Sequence, residues 1–152
     1  MAVRIQTISF DLGQEINHLK TSSPQVGATV AFVGSVREEG SLGQLTHLEV
    51  EHYEGMTEKS MQELETQARN NWSVIDTLII HRIGRLSVQE DIVCVIVLSE
   101  HRRDAFEAAQ FLMDSLKSTV PFWKKEIYMD QEKWVEAKIS DHEAFLRWDK
   151  HK

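Results

Sequence analysis

Residues 91–126, DIVCVIVLSEHRRDAFEAAQFLMDSLKSTVPFWKKE, carry the strongest structural signals in the chain. After Asp91, residues 92–98 are continuously apolar, which is typical of a strand that is covered on both faces. From Asp104 onwards apolar residues recur at helical spacing, and this predicts a helix. Pro121 disfavours helical backbone at the residue before it, so the helix is expected to end near Lys117 or Ser118. The segment therefore predicts a buried strand, a central helix and a second strand in succession.

The other patterns mix strands and helices without a regular alternation. Strands are predicted over residues 3–10, 27–37, 45–53, 77–83, 91–98, 122–129 and 133–139, and helices over residues 12–20, 57–72, 104–118 and from 140 onwards. Thr57, and the pairs Asp104 with Glu107 and Ser140 with Glu143, are interpreted as helix caps. The irregular order predicts an α+β fold, with a mixed or largely antiparallel sheet packed against helices in a single compact domain over residues 1–152.

Glycines give two further local predictions. The segment 38–44 contains Gly40 and Gly43 and is predicted to be a mobile loop. Gly34 lies inside a predicted strand, where glycine often marks a bulge or the close approach of another backbone. Arg37 lies where that strand opens into the loop. Ligand contacts are common at such places, although many arginines there are merely solvated strand ends.

Composition and charge narrow the class of protein. The 152 residues are 41% hydrophobic and 27% charged, with a formal net charge of -7, which argues against general binding to nucleic acid or to an anionic membrane. No signal peptide is recognised at the N-terminus, and no apolar run approaches the roughly 20 residues that span a bilayer. Cys94 is the only cysteine, so an internal disulfide is excluded and a reducing, cytoplasmic location is expected.

Basic residues nevertheless cluster around the predicted central helix. His101 and Arg102 precede it, Lys117 lies at its end, and Lys124 and Lys125 follow the proline. A helix N-terminus attracts anions and arginine offers a forked donor, so the cluster predicts an anion-binding, lysine-dependent site. A lysine at a helix end also simply stabilises the helix dipole, and His-Arg pairs are frequent at surface turns. The proline removes the helical argument for pairing the two lysines at positions 117 and 124.

Several other chemistries are disfavoured. His52, His81 and His101 are scattered, and neither an HExxH nor a CxxC arrangement occurs, so a metal site is not predicted. Cys94 lies within an apolar run and is expected to be buried and inert. No GxSxG, Walker or dinucleotide-binding motif is present. The residues alone predict an α+β domain with a candidate phosphate-binding basic pocket.

Longer motifs carry a family resemblance. The segments GATVAFVGSVR, LEVEHYEGMTEK, HRIGRL, SEHRRDAFEAAQFLMDSLK and PFWKKE occur in this order. With them, the chain resembles the large, catalytic subunit of molybdopterin synthase from about Gly27 to Trp148. The patterns EHYxGMTEK and MDxLKxxxPFWKKE are long enough to be specific.

The resemblance implies a sulfurtransferase of molybdenum cofactor biosynthesis with an α/β hammerhead-like fold. Such an enzyme converts cyclic pyranopterin monophosphate into molybdopterin. The sulfur is carried as a thiocarboxylate on the C-terminal Gly-Gly tail of a small ubiquitin-like subunit. The large subunit is implied to form a homodimer, which becomes a heterotetramer with two small subunits. It is implied to bind no cofactor or metal of its own.

Site residues follow from the resemblance position by position. Lys117 and Lys124 match the functional lysines, with Lys117 expected nearest to the thiocarboxylate carbonyl, in acid–base or covalent chemistry. Lys124 is expected to orient the substrate or to stabilise developing negative charge. The substrate-binding set implied by the resemblance is Ser35, Val36, Arg37, His101, Arg102, Lys117, Lys124, Lys125 and Glu126.

Four positions depart from the pattern expected of the family. Ser35 stands where some relatives have lysine, Glu54 where proline is common, and Gln89 at a usual turn glycine. Lys138 stands where arginine is expected and is a further candidate substrate contact. Lysine does not reproduce a bidentate arginine contact, so its contribution is in doubt.

Two rival functions remain open. The chain could be a non-catalytic module that clamps the C-terminal carboxylate of a ubiquitin-like partner. It could also be an unrelated phosphate-ester enzyme that uses His101 as a general acid or base. Turnover with a thiocarboxylated tail, or activity on simple phosphate esters without a partner, separates these possibilities.

Overall fold

The computed structural model describes residues 2–136 and 138–151. The predicted domain over 1–152 and the predicted strand over 133–139 therefore each include positions outside the described residues. In chain order the elements are β1 (Ala2–Gln6), α1 (Leu12–Lys20), β2 (Ala28–Ser35), β3 (Glu39–Gly40), β4 (Gly43–Gln44), β5 (His47–His52), α2 (Met56–Asn71), β6 (Val74–Arg82), β7 (Gly84–Ser87), β8 (Asp91–Ser99), α3 (Arg102–Thr119), β9 (Phe122–Ile127), β10 (Glu132–Trp134), α4 (Ile139–Leu146) and a short 3-10 helix (Arg147–His151).

Two four-stranded sheets form the framework. The first sheet has the strand order β1-β6-β8-β2 and the second has the order β10-β9-β5-β7. Strand β1 runs parallel to β6, and the other pairs in these two sheets are antiparallel. The predicted α+β fold with a mixed sheet and packed helices is confirmed.

Strand β8 is covered on both faces, as its continuous apolar sequence predicts. Val93, Val95 and Val97 join the main core, which includes residues of α2 and α3. The alternate residues Cys94 and Ile96 belong to a smaller cluster, against which α1 packs. Burial raises the pKa of the Cys94 thiol to about 11, so this cysteine is inert as predicted.

The central helix α3 lies on the first sheet through small and branched residues. Ala105, Ala108 and Leu112 are fully buried, and alanines at helical spacing let the helix approach the strands closely. Its outer side joins an aromatic cluster in which the Trp72 and Trp148 rings meet edge to face with centroids 5.5 Å apart. Helices α2 and α3 and the C-terminal segment are therefore held as one layer.

The predicted caps of α3 are wrong. The helix begins at Arg102, two residues earlier than predicted, with His101 as N-cap and no capping hydrogen bond from its side chain. The Asp104 carboxylate instead accepts a hydrogen bond from the Ser73 N–H at 3.2 Å. The Glu107 carboxylate accepts one from the Trp72 indole at 2.8 Å. Both carboxylates accept tertiary hydrogen bonds, so neither caps the N-terminus of the helix.

The other two predicted caps are also wrong. Helix α2 is capped by Gly55, at φ 84°, and Thr57 lies inside its first turn with its hydroxyl donating to the Tyr53 carbonyl at 2.8 Å. Helix α4 has Lys138 as its N-cap residue, again without a capping bond from the side chain. Ser140 consequently lies within the helix instead of before it.

Short strands were missed by the sequence patterns. Strand β7 pairs with β5 and has only four residues. The predicted mobile loop 38–44 is a small hairpin of β3 and β4, in which Glu39 pairs with Gln44. The bulge expected at Gly34 is confirmed by a register shift between Gly34 and Ser35. Gln89 has φ 72°, in keeping with its place at a usual turn glycine.

None of the helices within 2–136 and 138–151 is long and apolar enough to cross a membrane.

One buried carboxyl group gives a stability prediction. Glu65 of α2 is 2% exposed and accepts a hydrogen bond from the Thr77 hydroxyl at 2.5 Å. Burial raises its pKa from 4.5 to about 7, although the Thr77 hydrogen bond acts in the opposite direction. Between those pH values the folded chain holds a proton that the unfolded chain has lost. The contribution of this group is therefore most favourable below pH 4.5 and is lost as the pH rises to about 7.

We predict that Glu65→Gln removes this loss. At pH 8 the free energy of unfolding of the variant should exceed that of the parent by up to about 3 kcal/mol, and the difference should vanish near pH 4.5. Denaturant titration at several pH values measures it. The exposed Glu63→Gln on the same helix is the matched control. An equal pH dependence in parent and Glu65→Gln would contradict this assignment.

Candidate active site

Lys124 lies on the inner face of the second sheet. It pairs with Val50 across strands β5 and β9, and Val50 is 2% exposed, so both side chains point toward the core. Burial lowers the pKa of Lys124, the charge of Lys117 lowers it further, and Asp141 partly offsets both. A buried ammonium beside a like charge releases its proton more readily than a solvated one.

Lys117 reaches the same place from the end of α3. Its ammonium lies 3.9 Å from the Asp141 carboxylate, and its side chain is half exposed. Asp141 belongs to the first turn of α4. The chain turns at Val120, which is extended at φ -93° and ψ 131°, and so carries Lys124 back toward Lys117. The two lysines therefore meet through a turn and not through helical periodicity.

A neutral histidine lies beneath this lysine pair. His81 is 3% exposed, and its ring stacks on Phe122 with centroids 3.7 Å apart. Its Nδ1 donates to the Arg82 carbonyl at 2.8 Å, because a carbonyl can only accept. Burial, followed by the charge of Lys124, lowers the pKa of His81 to about 3. The ring is therefore uncharged at neutral pH.

Lys125 points away from the pocket. It follows Lys124 on a strand, so its side chain lies on the opposite face of the sheet. There its ammonium is 3.8 Å from the Glu49 carboxylate and 3.6 Å from that of Glu132, and 5.0 Å from the centre of the Trp134 ring. The structure does not bring Lys125 together with the lysine pair.

Glu126 fastens the hairpin of β3 and β4. Its carboxylate accepts hydrogen bonds from the Ser41 hydroxyl at 2.7 Å and from the Ser41 N–H at 3.3 Å. The Tyr128 hydroxyl accepts one from the Leu42 N–H at 3.0 Å. Burial alone would raise the pKa of Glu126, but hydrogen bonds with Ser41 and Tyr128 hold it below its ordinary value. A Cβ at Gly40 would lie 2.4 Å from the Glu126 carboxylate and from the Tyr128 hydroxyl, so a larger residue there would displace the side chains that hold the hairpin.

The three residues at the end of β2 differ in what they expose. The Ser35 hydroxyl donates to the Asp91 carboxylate at 2.7 Å. Val36 is 3% exposed and belongs to the core, and its backbone N–H and carbonyl are hydrogen-bonded to the Glu90 carbonyl and the Gln89 N–H. Arg37 is exposed at the base of the hairpin that Glu126 fastens.

His101 and Arg102 lie far from Lys117 within one chain. Arg102 begins α3 and Lys117 is in its last turn, so fifteen residues at 1.5 Å each place them about 22 Å apart. The His101 side chain is 84% exposed, and its Nε2 lies 4.0 Å from the Glu100 carboxylate. The resemblance groups these residues with the lysines, but the fold of a single chain does not.

The end of β2 is equally distant from His101 and Arg102. Ser35 pairs with Asp91 at one end of the β2–β8 ladder, whereas Ala28 pairs with Ser99 at the other. Seven strand residues separate the two ends by about 23 Å. Residues 35–37 and 101–102 therefore lie at opposite ends of the first sheet.

Lys138 lies close to the site in the chain. It is exposed, and its carbonyl accepts a hydrogen bond from the Asp141 N–H at 3.1 Å at the start of α4. It therefore helps to begin the helix that carries the carboxylate between the lysines. Within the described ranges, His, Cys, Asp and Glu side chains form no group of three that could hold a metal ion.

Three residues of this site were missed by the sequence patterns. Asp141 and His81 come close to Lys124 only through tertiary packing, and His52 lies near His81. His52 pairs with Phe122 across β5 and β9, and its Nε2 lies 3.9 Å from the Glu58 carboxylate. The segment HRIGRL, which contains His81, contributes to the family resemblance but predicts no role for this histidine.

The fold and the site together define an α+β protein in which a desolvated lysine, Lys124, lies near a half-exposed one, Lys117, an arrangement suited to acid–base or covalent chemistry on an anionic substrate. A model of the MoaE protein family matches residues 5–119. The molybdopterin synthase catalytic subunit of Ralstonia nicotianae is 44% identical over 146 residues, covering 96% of this chain and 83% of the relative.

Solved structures agree with this comparison. The molybdopterin cofactor biosynthesis protein E from Burkholderia multivorans is 42% identical, with a TM-score of 0.82, and covers 97% of this chain and 96% of its own. A chain from the complex of subunits 1 and 2 of the molybdopterin-converting factor of Helicobacter pylori has a TM-score of 0.75 at 17% identity and covers 90% of this chain and 91% of its own, which shows the shared fold. The chain belongs to the MoaE family, the catalytic subunits of molybdopterin synthase.

Proposed function

We propose that this chain transfers sulfur from the C-terminal thiocarboxylate of a small ubiquitin-like subunit to cyclic pyranopterin monophosphate, forming the dithiolene of molybdopterin. The observation that carries the proposal is the meeting of Lys117 and Lys124 beside Asp141 at the turn after α3. Family membership supplies the reaction class, and the lysine pair supplies groups able to perform it.

Lys117 is the residue proposed to meet the thiocarboxylate carbonyl. Its half-exposed ammonium lies at the mouth of the site, where a flexible tail can reach it. Asp141 holds that ammonium in place without enclosing it. Acid–base or covalent chemistry at the carbonyl then takes place at the position where the tail ends.

Lys124 has a complementary role deeper in the site. Its lowered pKa increases the share of neutral amine near pH 7, so it can exchange a proton as well as stabilise developing negative charge. The partner carries the sulfur, so the reaction needs neither a cysteine nucleophile nor a cofactor held by this chain. The buried Cys94 is compatible with this chemistry and with a cytoplasmic location.

The partner is proposed to be the small sulfur-carrier subunit with a C-terminal Gly-Gly tail. The Helicobacter pylori structure is titled as a complex of two subunits of this converting factor. A tail of small residues suits entry beside Lys117, because glycine lets a backbone approach a pocket closely.

The substrate pocket is proposed to be shared between two copies of this chain. His101 and Arg102 lie about 22 Å along α3 from Lys117 and cannot act on the same small substrate within one chain. In the proposed two-fold dimer, the start of α3 in one copy, with His101 and Arg102, lies near Lys117 of the other copy. The substrate phosphate is then held by Arg37 of one chain or by His101 and Arg102 of the other chain.

The edge of β2 is the surface proposed for this pairing. Within the described residues β2 pairs with β8 on one side only, and Phe32 on it is 41% exposed. An unpaired apolar edge is a template for another strand. If two copies pair antiparallel along β2, residues 35–37 of one copy lie beside Ala28 of the other, at the end of the sheet that leads to His101.

We predict that Lys117→Ala abolishes molybdopterin formation and leaves the fold and partner binding intact. The lysine is half exposed, so its loss costs little stability. Product formed from thiocarboxylated partner and substrate is the measurement, with gel filtration for partner binding. The exposed Lys20→Ala is the matched control. Normal product yield with Lys117→Ala would contradict the catalytic role, and lost partner binding would indicate a docking role.

Mixed dimers test the shared pocket. Lys117→Ala and Arg102→Ala are each expected to be inactive alone. In a hybrid dimer, one site contains both substitutions and the other contains neither. Random mixing makes half of the dimers hybrids, so about a quarter of parental activity should return. No recovery after confirmed subunit exchange would show that both residues serve the same site from one chain.

A further inference from the structure

The residue before Arg37 is held by a turn from another part of the chain. The Val36 N–H donates to the Glu90 carbonyl at 2.9 Å, and the Val36 carbonyl accepts from the Gln89 N–H at 2.7 Å. Gln89 and Glu90 belong to the turn from Ser87 to Glu90 that joins β7 to β8. Both backbone groups of Val36 depend on this turn, so the conformation of the turn sets the direction in which the chain enters Arg37.

The turn from Ser87 to Glu90 contains a strained residue. Gln89 has φ 72°, in the left-handed region that residues other than glycine rarely adopt. Such a conformation persists only where the surrounding contacts enforce it. Within the turn, the Glu90 N–H donates to the Ser87 carbonyl at 3.1 Å, and the Glu90 carboxylate accepts a hydrogen bond from the Ser87 N–H. The side chain of Glu90 therefore closes the turn and helps to keep Gln89 in place.

Arg82 holds the Glu90 carboxylate from inside the fold. Its side chain is 6% exposed, and its Nη1 lies 3.4 Å from that carboxylate. The same nitrogen donates to the Asp91 carbonyl at 3.2 Å, and Nη2 donates to the Thr7 carbonyl at 3.0 Å. The planar, forked guanidinium thus joins the turn to the start of β8 and to the segment that follows β1. A lysine ammonium has a single donor atom and does not reproduce this arrangement.

The two residues that Arg82 contacts also hold the end of β2. Glu90 accepts from the Val36 N–H, and the Asp91 carboxylate accepts from the Ser35 hydroxyl at 2.7 Å. Arg37 follows directly in the chain and is exposed. Arg82 is too deeply buried to meet a substrate itself. Any effect that it has on substrate binding must therefore pass through the end of β2.

We propose that Arg82 is a positioning residue for Arg37. By holding Glu90 it fixes the turn that binds Val36, and so it fixes the direction in which Arg37 projects toward the substrate phosphate. This inference rests on the proposed function, in which Arg37 is a phosphate contact. It adds that the fold orients Arg37 before the substrate arrives, so that less freedom of motion is lost on binding.

Two substitutions break this link from opposite ends. Arg82→Met keeps an unbranched apolar stem in the core but removes every guanidinium donor. Glu90→Ala removes the carboxylate, and because that side chain is 39% exposed the fold should tolerate the change. Glu63→Ala, which deletes an exposed carboxylate from α2, is the matched control.

Hydrogen exchange, followed by NMR on the full chain, reports on the turn without depending on turnover. The amides of Val36 and Gln89 are both donors in this network. In Arg82→Met and in Glu90→Ala they should exchange about tenfold faster than in the parent. The amide of Val95, which lies between β2 and β6 on the central strand β8, should keep its parental rate. Equal acceleration of all three amides would show a loss of global stability and would overturn the inference.

Steady-state kinetics connect the turn to Arg37. Arg37→Ala and both variants of the link should each raise the KM for cyclic pyranopterin monophosphate about tenfold with little change in kcat, since each weakens phosphate binding. If Arg82 acts through Arg37, combining Arg82→Met with Arg37→Ala should raise KM no further than Arg37→Ala alone. Additive losses would show that the two arginines act independently, which contradicts the inference.

The outcomes distinguish this inference from the proposed function. Unchanged exchange at Val36 and Gln89 in the folded variants overturns the inference, whatever their activity. A parental KM in both variants of the link, alongside a raised KM in Arg37→Ala, overturns it as well. A parental KM in Arg37→Ala itself contradicts the phosphate role proposed for Arg37, even where faster local exchange supports the link between Arg82 and the turn.

Discussion

The site depends on a short, fixed turn that holds two like charges together. Val120 is extended, and the Phe122 N–H donates to the Val120 carbonyl at 2.9 Å. The buried Thr57 hydroxyl lies 3.3 Å from the Pro121 carbonyl and ties the start of α2 to the same turn. Lys117 and Lys124 repel each other, and Asp141 relieves that repulsion only in part. The folding energy of the surrounding core must maintain this arrangement.

That constraint gives the long family motifs a physical meaning. Thr57 belongs to one motif and Pro121 to another, and the 3.3 Å contact between the Thr57 hydroxyl and the Pro121 carbonyl joins the two motifs at the turn that carries the lysines. The Phe122 ring supports His81 from a third motif. These three motifs therefore surround the turn that carries Lys124, although only the lysines carry reactive amines.

Local patterns predicted the parts of the fold that local chemistry determines. The apolar run of β8, the helix α1 and the bulge at Gly34 were predicted because neighbouring residues specify them. The predicted helix caps were wrong because distant groups compete for the same side chains. The Asp104 carboxylate, for example, accepts a hydrogen bond from the Ser73 N–H instead of from its own helix. The hairpin of β3 and β4 was not predicted, because two-residue strands carry no recognisable pattern. Glu126, which binds Ser41 of this hairpin, lies 85 residues away from it in sequence.

The active site was predicted less completely than the fold. Resemblance identified the lysines, but no spacing rule connects Lys117 to Asp141 or Lys124 to His81, since these residues come near one another only after the sheets and helices have packed. Resemblance also grouped residues that one chain holds about 22 Å apart, which is why the pocket is proposed to need a second copy.

The position of the partner's tail tests the central claim most directly. A crystal structure of this chain bound to its small subunit, with the C-terminal Gly-Gly in place, would locate the reacting carbonyl. We expect the terminal carbonyl within hydrogen-bond reach of the Lys117 ammonium, on the side of Asp141 and Lys124. A tail that ends at the exposed face of Lys125 and Trp134, or stops short of the turn after α3, would contradict the account.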